Sequence, residues 1–497
     1  MRRLILPIAL LVLVALAASA AARPRPPLSH EGRWFTDTGG RVVILHGLNM
    51  VYKVGSYRPA DAGFGADDAR WLRRQGFNTI RLGIIYKGLE PKPPSRSGAL
   101  HYRRGYIRSL AGTEALLARQ GIFTLLDFHQ DLYNERFQGE GWPDWQVVDD
   151  GLPAEPQAGF PANYLVNQGL NRAFDTFWAN VVVEGRGLQD AYAAAWRRVA
   201  LKFRKRPYVA GYDLLNEPWP GSAFGTDGCL NTAGCATFDQ TTLAPFDNRV
   251  IDAIRGVDPD TLVFYEPLVT FDFGANSQLP DTGDDAAGFS FHVYCLPGSL
   301  GGPGSGPACE PLEDLAFANA DKQSLETGDV PFLTEFGATD DLETISRLVR
   351  LADSHMVSWQ EWHYCDCADP TTSGPGVQSL VVDPAKPPRG DNVKRAKLAA
   401  LARPYPRAVA GTPRSYGFDP QTKRFDLVYS TRAPAGEELG HRLPRSRLTE
   451  VFIPRIQYPD GYSVEVTGAD LVSKPNARVL RLERRRRDAV TVAVTPR

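Results

Sequence analysis

From residue 42 to about 400, short apolar runs alternate with longer segments of helical period. The runs are rich in β-branched and aromatic residues: "RVVILHGLNM", "FNTIRLGII", "IFTLLDFH", "VAGYDLLNEP", "TLVFYEPL", "GFSFHVY", "PFLTEFGAT" and "VSWQEWHY". Runs of that length without polar alternation predict strands buried on both faces. Between most of them lie amphipathic stretches such as "ADDARWLRRQG", "YIRSLAGTEALLARQG", "LQDAYAAAWRRVALKFR", "FDNRVIDAIRGVD" and "LETISRLVRLADSH". Gly76 and Gly121 fall where helix C-caps belong. Eight strands separated by helices predict an α/β fold, a (β/α)8 TIM barrel. The exception is "VTFDFGANSQLPDTGDDAA", between strands five and six, which has little helical periodicity.

After about Pro404 the pattern shortens to alternating runs, "RFDLVYST", "LTEVFIPR", "YSVEVTG", "ARVLRLE" and "AVTVAVTP", broken by Pro, Gly and Asp. That spacing predicts a small C-terminal antiparallel β-sandwich. At the other end, Arg2 and Arg3 precede an apolar run, Leu4 to Ala17, followed by "ASAAA" and "RPRPP". This order of basic, apolar and small residues predicts a signal peptide and a secreted or surface-associated protein, with an uncleaved anchor as the alternative. The expected division is 1–22 signal peptide, 30–405 catalytic barrel and 406–497 sandwich.

Composition changes this picture little. The 497 residues are 43% hydrophobic and 23% charged with a net charge of −1, which offers no general attraction to nucleic acid. The basic run "RLERRRRD" reads as a solvated strand end, since no aromatic residue interleaves with it. The 6 cysteines fit an oxidising compartment. Local bridges Cys229–Cys235 and Cys295–Cys309 are expected loop staples. Cys365 and Cys367 are the least secure pair, and a metal site is the alternative, although no spacing is C-x-x-C.

In a barrel of this kind the active site is built from strand C-termini. The ends of the predicted strands supply Arg81, His129 with Asp131, Asn216 with Glu217, Glu266, His292 with Tyr294, Glu335, and Trp362 with His363. Polar groups thus gather at one level, and Glu217 and Glu335 come from strands that face each other obliquely. Two such acids permit general acid chemistry with either a nucleophile or a base, and their spacing decides between retention and inversion. Position along the chain does not say which acid is which. Glu266 alone is read as a structural ion-pair member. No H-E-x-x-H, G-x-S-x-G or P-loop pattern is present, and "DFHQD" is too sparse to argue for a metal hydrolase. No cofactor is implied.

"LLNEP", "HVY" and "TEFG" resemble glycoside hydrolase family five, whose barrels are retaining. More narrowly, "DFHQDLYNERFQGEGWPDW", "YDLLNEPWPG" and "WHYCDCADPTTS" are similar to the bacterial endoglycoceramidases, which also carry a C-terminal sandwich and cut oligosaccharide from ceramide. The resemblance implies Glu217 as acid/base and Glu335 as nucleophile. It implies that Asn216 bonds the sugar 2-hydroxyl, that Tyr294 orients the nucleophile with His292 beside it, and that Arg81 supports that carboxylate. His129, Asp131 and Lys53 would hold sugar hydroxyls, with Trp362 as stacking platform and Trp359 as the competing choice.

A lipid substrate needs an apolar groove beside a polar slot. The long segment after strand three, with Trp142, Trp145, Phe160, Tyr164 and Phe177, is one source for it, and packing of that loop onto the barrel is the other account of the same aromatics. The expected partner is a glycosphingolipid in micelles or membranes, with no stable protein partner. A β-glucanase or mannanase, and a non-catalytic carbohydrate- or lipid-binding surface protein, are the alternatives.

Overall fold

The computed structural model describes residues 23–95, 98–295, 306, 308–372, 376–435 and 438–497. The expected signal peptide and most of the glycine-rich stretch after strand six lie outside the described residues. Eight parallel strands close into a barrel: β1 (His46–Met50), β2 (Thr79–Ile85), β3 (Phe123–His129), β4 (Val209–Asp213), β5 (Val263–Tyr265), β6 (Ala287–Val293), β7 (Val330–Phe336) and β8 (Ser358–Glu361). Their order round the barrel is the order of the chain, and β8 pairs with β1 to close it.

Every residue of these strands is buried. That explains why they read as unbroken apolar runs, with helices covering the outer face. The covering helices include α1 (Ala66–Gln75), α2 (Arg104–Gln120), α3 (Leu188–Phe203), α4 (Ala244–Arg255), α5 (Glu310–Thr327) and α6 (Leu342–His355). Gly76 and Gly121 end α1 and α2 in the left-handed region, at φ 101° and 73°, where a Cβ would be penalised. After β5 the helix is replaced by a 3-10 turn, Val269–Phe273, at the place where periodicity failed.

The described chain divides into two compact units. One comprises residues 27–34 and 45–402 and contains the barrel; the other gathers residues 23–26, 35–44 and 403–497. The expectation that β1 begins at Arg41 is therefore corrected. Val42 bridges Val409, and Val43 donates to the Phe35 carbonyl at 2.9 Å, so the apolar "VVI" segment feeds the core of the second unit. That unit holds two four-stranded antiparallel sheets. Alternating burial along Phe425–Ser430 and Ala489–Pro496 marks the inward face of one of them. The basic run near the C-terminus is exposed beyond Arg484, and Arg485 Nε donates to Asp470 at 2.8 Å.

Three disulfides join Cys229 to Cys235, Cys295 to Cys309 and Cys365 to Cys367, which resolves the pairing left open for the last two.

Candidate active site

Arg81 is the centre of the barrel's polar floor. It sits in the middle of β2 and is fully buried. Its Nε donates to Asp213 at 2.8 Å, and Nη2 reaches Glu266 at 2.7 Å, Asn216 Oδ1 at 3.0 Å and Asp127 at 3.2 Å. Nη1 is paired with Glu335. One guanidinium thus serves four carboxylates in a region without water's screening, so the set cannot be fully ionised. Burial pushes Asp213 up to about 6 and Glu266 well above the carboxylate range, each opposed by Arg81.

Glu335, at the end of β7, takes a second donor from Tyr294, whose hydroxyl lies 2.9 Å from Oε2. Burial raises its carboxyl, and His292 and Arg81 oppose that rise. Glu217 has no cation in contact among the described residues. Its Oε1 lies 2.9 Å from His292 Nδ1, and the same nitrogen lies 3.7 Å from Glu335 Oε2. Burial first, then Asp131, pushes Glu217 up to about 7. His292 is itself held down to about 3, chiefly by burial, so it is a neutral imidazole between the two acids.

The backbone that presents Glu217 is held against its preference. Its φ is +42°, a left-handed conformation that costs a residue with a Cβ about 1–3 kcal/mol. Two side chains hold it there. Glu266 Oε2 accepts the Glu217 N–H at 2.8 Å, and Gln130 Nε2 donates to the carbonyls of Asn216 and Glu217 at 3.0 and 3.1 Å. Glu266 is therefore more than the isolated ion-pair member expected from sequence. It ties the Arg81 floor to the backbone of Glu217.

Beyond the end of β1, next to β2, Lys53 Nζ donates to Asp131 at 2.6 Å and Thr371 Oγ1 at 2.7 Å, with Asp369 at 3.2 Å and Glu140 at 3.5 Å. Two hydrogen bonds and two further carboxylates thus surround the ammonium. Gly139 allows this wall to form, because a Cβ there would lie 1.9 Å from the Asp131 carbonyl oxygen. Burial opposes a charge on His129, yet Asp127 at 2.8 Å and Asp131 at 3.5 Å raise it to about 10. Trp362 stacks parallel to His129 at 5.3 Å, has Lys53 Nζ 4.5 Å from its ring, and donates Nε1–H to Gln378 at 2.9 Å. Trp359 is fully buried against His46, which removes it as a sugar platform.

The structure thus brings all ten sequence-predicted residues, Lys53, Arg81, His129, Asp131, Asn216, Glu217, His292, Tyr294, Glu335 and Trp362, into linked networks. Those that sequence reading missed are Asp127, Asp213, Asp272, Glu140, Asp369, Thr371 and Gln378. Asp127 and Asp213 carried a usable signal, since a charge inside a buried strand demands a partner. Three sets of potential ligand atoms lie close together: His363/Cys365/Cys367, His129/Asp131/Glu140 and Glu217/Asp272/His292. The cysteines of the first are joined to each other, and Lys53 already supplies positive charge to the second. The aromatic loop after β3 divides between the two accounts of it. Trp142 and Phe177 are sealed, Trp142 against Tyr133 at 4.3 Å, whereas Trp145 and Phe160 remain part-exposed.

The cellulase (glycosyl hydrolase family 5) model matches residues 55–367, around both acids. The chain belongs to glycosyl hydrolase family 5. The C-terminal domain of the same family matches residues 403–495 of this family 5 chain. Endoglycoceramidase I of Rhodococcus hoagii (strain 103S) is 33% identical over 92% of this chain and 86% of its own length. Two solved structures of endo-glycoceramidase II from Rhodococcus sp. cover 93% of this chain at 29% identity and 99% and 98% of their own. They are a lactosyl–enzyme intermediate (TM-score 0.72) and a ganglioside GM3 complex (TM-score 0.73).

Proposed function

We propose that this family 5 glycoside hydrolase is a retaining endoglycoceramidase, exported through an N-terminal signal peptide, that releases intact oligosaccharide from ceramide. The observation that carries the reading is His292 Nδ1 touching both acids, 2.9 Å from Glu217 and 3.7 Å from Glu335. Those two distances together cap the separation of the contacted oxygens near the lower edge of the ~6.5–9.5 Å range for inversion and leave room for the ~5–5.5 Å of retention. The environments support one division of roles. Glu335, with Arg81 and Tyr294 as donors, is the carboxylate that attacks C1. Glu217, without a cation and raised to about 7, holds the proton for the departing ceramide oxygen and later takes one from water.

His129 and Asp131 supply fixed charge for sugar hydroxyls, Lys53 holds Asp131 in place, and Asn216 faces the 2-hydroxyl. Trp362 is the ring on which the sugar stacks. The lipid half of the reading is supported by exposed Val54, Leu165, Val166 and Leu230 on loops that follow β1, β3 and β4. It is supported as well by the relatives named for ceramide glycans. Export is supported by "MRRLILPIALLVLVALAASAAA" and by six cysteines all paired.

Incubation with lactosylceramide and GM3 in detergent tests the substrate. Free ceramide with intact glycan is expected, and the first-formed sugar should be the β-anomer by NMR. Cleavage of soluble β-glucan without any ceramide would instead assign the chain to polysaccharide. Sequencing the N-terminus of protein recovered from culture medium tests export, with a start near residues 21–23 expected.

A further inference from the structure

We propose that Asp272 is a positioning residue that keeps its own proton and donates it as a hydrogen bond to the Glu217 carboxylate. The inference rests on the reading of Glu217 as acid/base given above. Asp272 lies on the 3-10 turn after β5 and is 4% exposed. Its carboxyl sits within 4.8 Å of those of Glu217 and the ring of His292. The turn is fixed from both sides: the Asp272 carbonyl accepts the Tyr294 N–H at 3.1 Å, and Phe271 packs against Phe289 and Phe291.

Two buried carboxyls at this distance cannot both be ionised, so at least one proton stays on the pair. Asp272 has no ion pair among the described residues, and the charges that face it are Glu217 and Glu335, with the Tyr294 hydroxyl beside them. Glu217 is better served. Besides the neutral His292, it faces Asp131 with His129 and Lys53 from the β3 and β1 sides, Glu335 from β7, and the Tyr164 hydroxyl from the long loop. Burial, then Glu217 and Glu335, hold the Asp272 carboxyl well above the usual range, whereas Glu217 stands at about 7. Glu217 is therefore the member that cycles. A carboxylic acid kept neutral by its surroundings so that it can donate has precedent in other enzymes.

The proton balance is closed. Glu217 gives its proton to the glycosidic oxygen as the C1–O bond breaks and Glu335 bonds to C1, and ceramide leaves as an alcohol. Asp272 retains its proton and bonds to the carboxylate left on Glu217. Water then returns a proton to Glu217 while its oxygen displaces Glu335 from C1.

The test is the pH profile of kcat/KM on lactosylceramide for Asp272→Ala and Asp272→Asn. Removing the donor raises Glu217, so the alkaline limb of Asp272→Ala should move up by about one pH unit. Asp272→Asn keeps an N–H donor, and its limb should stay within about 0.3 unit of wild type. An unmoved limb in Asp272→Ala, or a downward move in either variant, overturns the proposal, because an ionised Asp272 would lower Glu217 once removed. Should Asp272→Ala not fold, Asp272→Leu, which also lacks a donor and fills the space, takes its place under the same criterion. A dinitrophenyl lactoside, whose leaving group departs without a proton, reports site integrity. Equal losses on both substrates with no limb shift would mean a merely structural role and overturn the proposal. Glu217→Gln is the separate control, because retained activity there sinks the acid/base reading itself.

Discussion

Two buried cations, Arg81 on β2 and Lys53 beyond the neighbouring β1, are each outnumbered by acids. Arg81 faces Asp127, Asp213, Glu266 and Glu335; Lys53 faces Asp131, Glu140 and Asp369. The planar guanidinium fans out to fixed directions, while the ammonium is a point charge capped by Thr371 and the Trp362 ring. Around Lys53, despite burial, Asp131 and Asp369 are held below the usual carboxylate range, while burial pushes Glu140 well above it. Around Arg81, burial wins and Asp213, Glu266 and Glu335 all rise. The histidines follow the same division, His129 charged and His292 neutral. The Lys53 cluster therefore holds Asp131, Asp369 and His129 charged, suited to hydroxyl groups, and the Arg81 cluster holds raised acids, suited to moving a proton.

This contrast can be broken at its strongest point first. Glu335→Gln removes the attacking atom and should cost about 10⁴-fold or more in kcat on any glycoside. Glu217→Gln should cost about 10²–10⁴-fold on lactosylceramide yet spare the first step on a dinitrophenyl lactoside, which burst kinetics would show. Arg81→Lys keeps the charge but not the fork. It leaves buried carboxylates unpaired, at about 3–5 kcal/mol, visible as a lowered Tm together with lost activity.

Lys53→Met sharpens the comparison from the other cation. Without its cation Asp131 should protonate at higher pH, and KM should rise about tenfold, ~1.4 kcal/mol, with a smaller change in kcat. The last effect expected is on stability against pH. His129 is raised from an unfolded value near ~6.5 to about 10 in the fold. Its contribution is therefore complete below about 6.5 and should fade as pH rises toward 10, which urea midpoints across that window would follow.

The barrel was legible because strands buried on both faces leave apolar runs, and the mouth because polar residues end those runs. What failed has physical causes. An apolar stretch does not say which core it enters, so residues 41–45 were joined to β1 although Val42 pairs with Val409. Trp142 and Phe177 have the same composition whether they line a groove or seal a loop. Asp272 lies in the one crossover without helical period, so no pattern pointed to it. Glu266 was visible, but its hold on the Glu217 backbone exists only in three dimensions.

The division of the chain has a consequence for synthesis. The unit that contains residues 403–497 also needs residues 35–44, which emerge from the ribosome before any barrel strand. That early segment must wait while some 360 residues are made and folded, with Val42 lacking its Val409 partner throughout. Truncation after Ala402 leaves the wait permanent, and the orphaned segment becomes a site where such a fragment would stick to other chains.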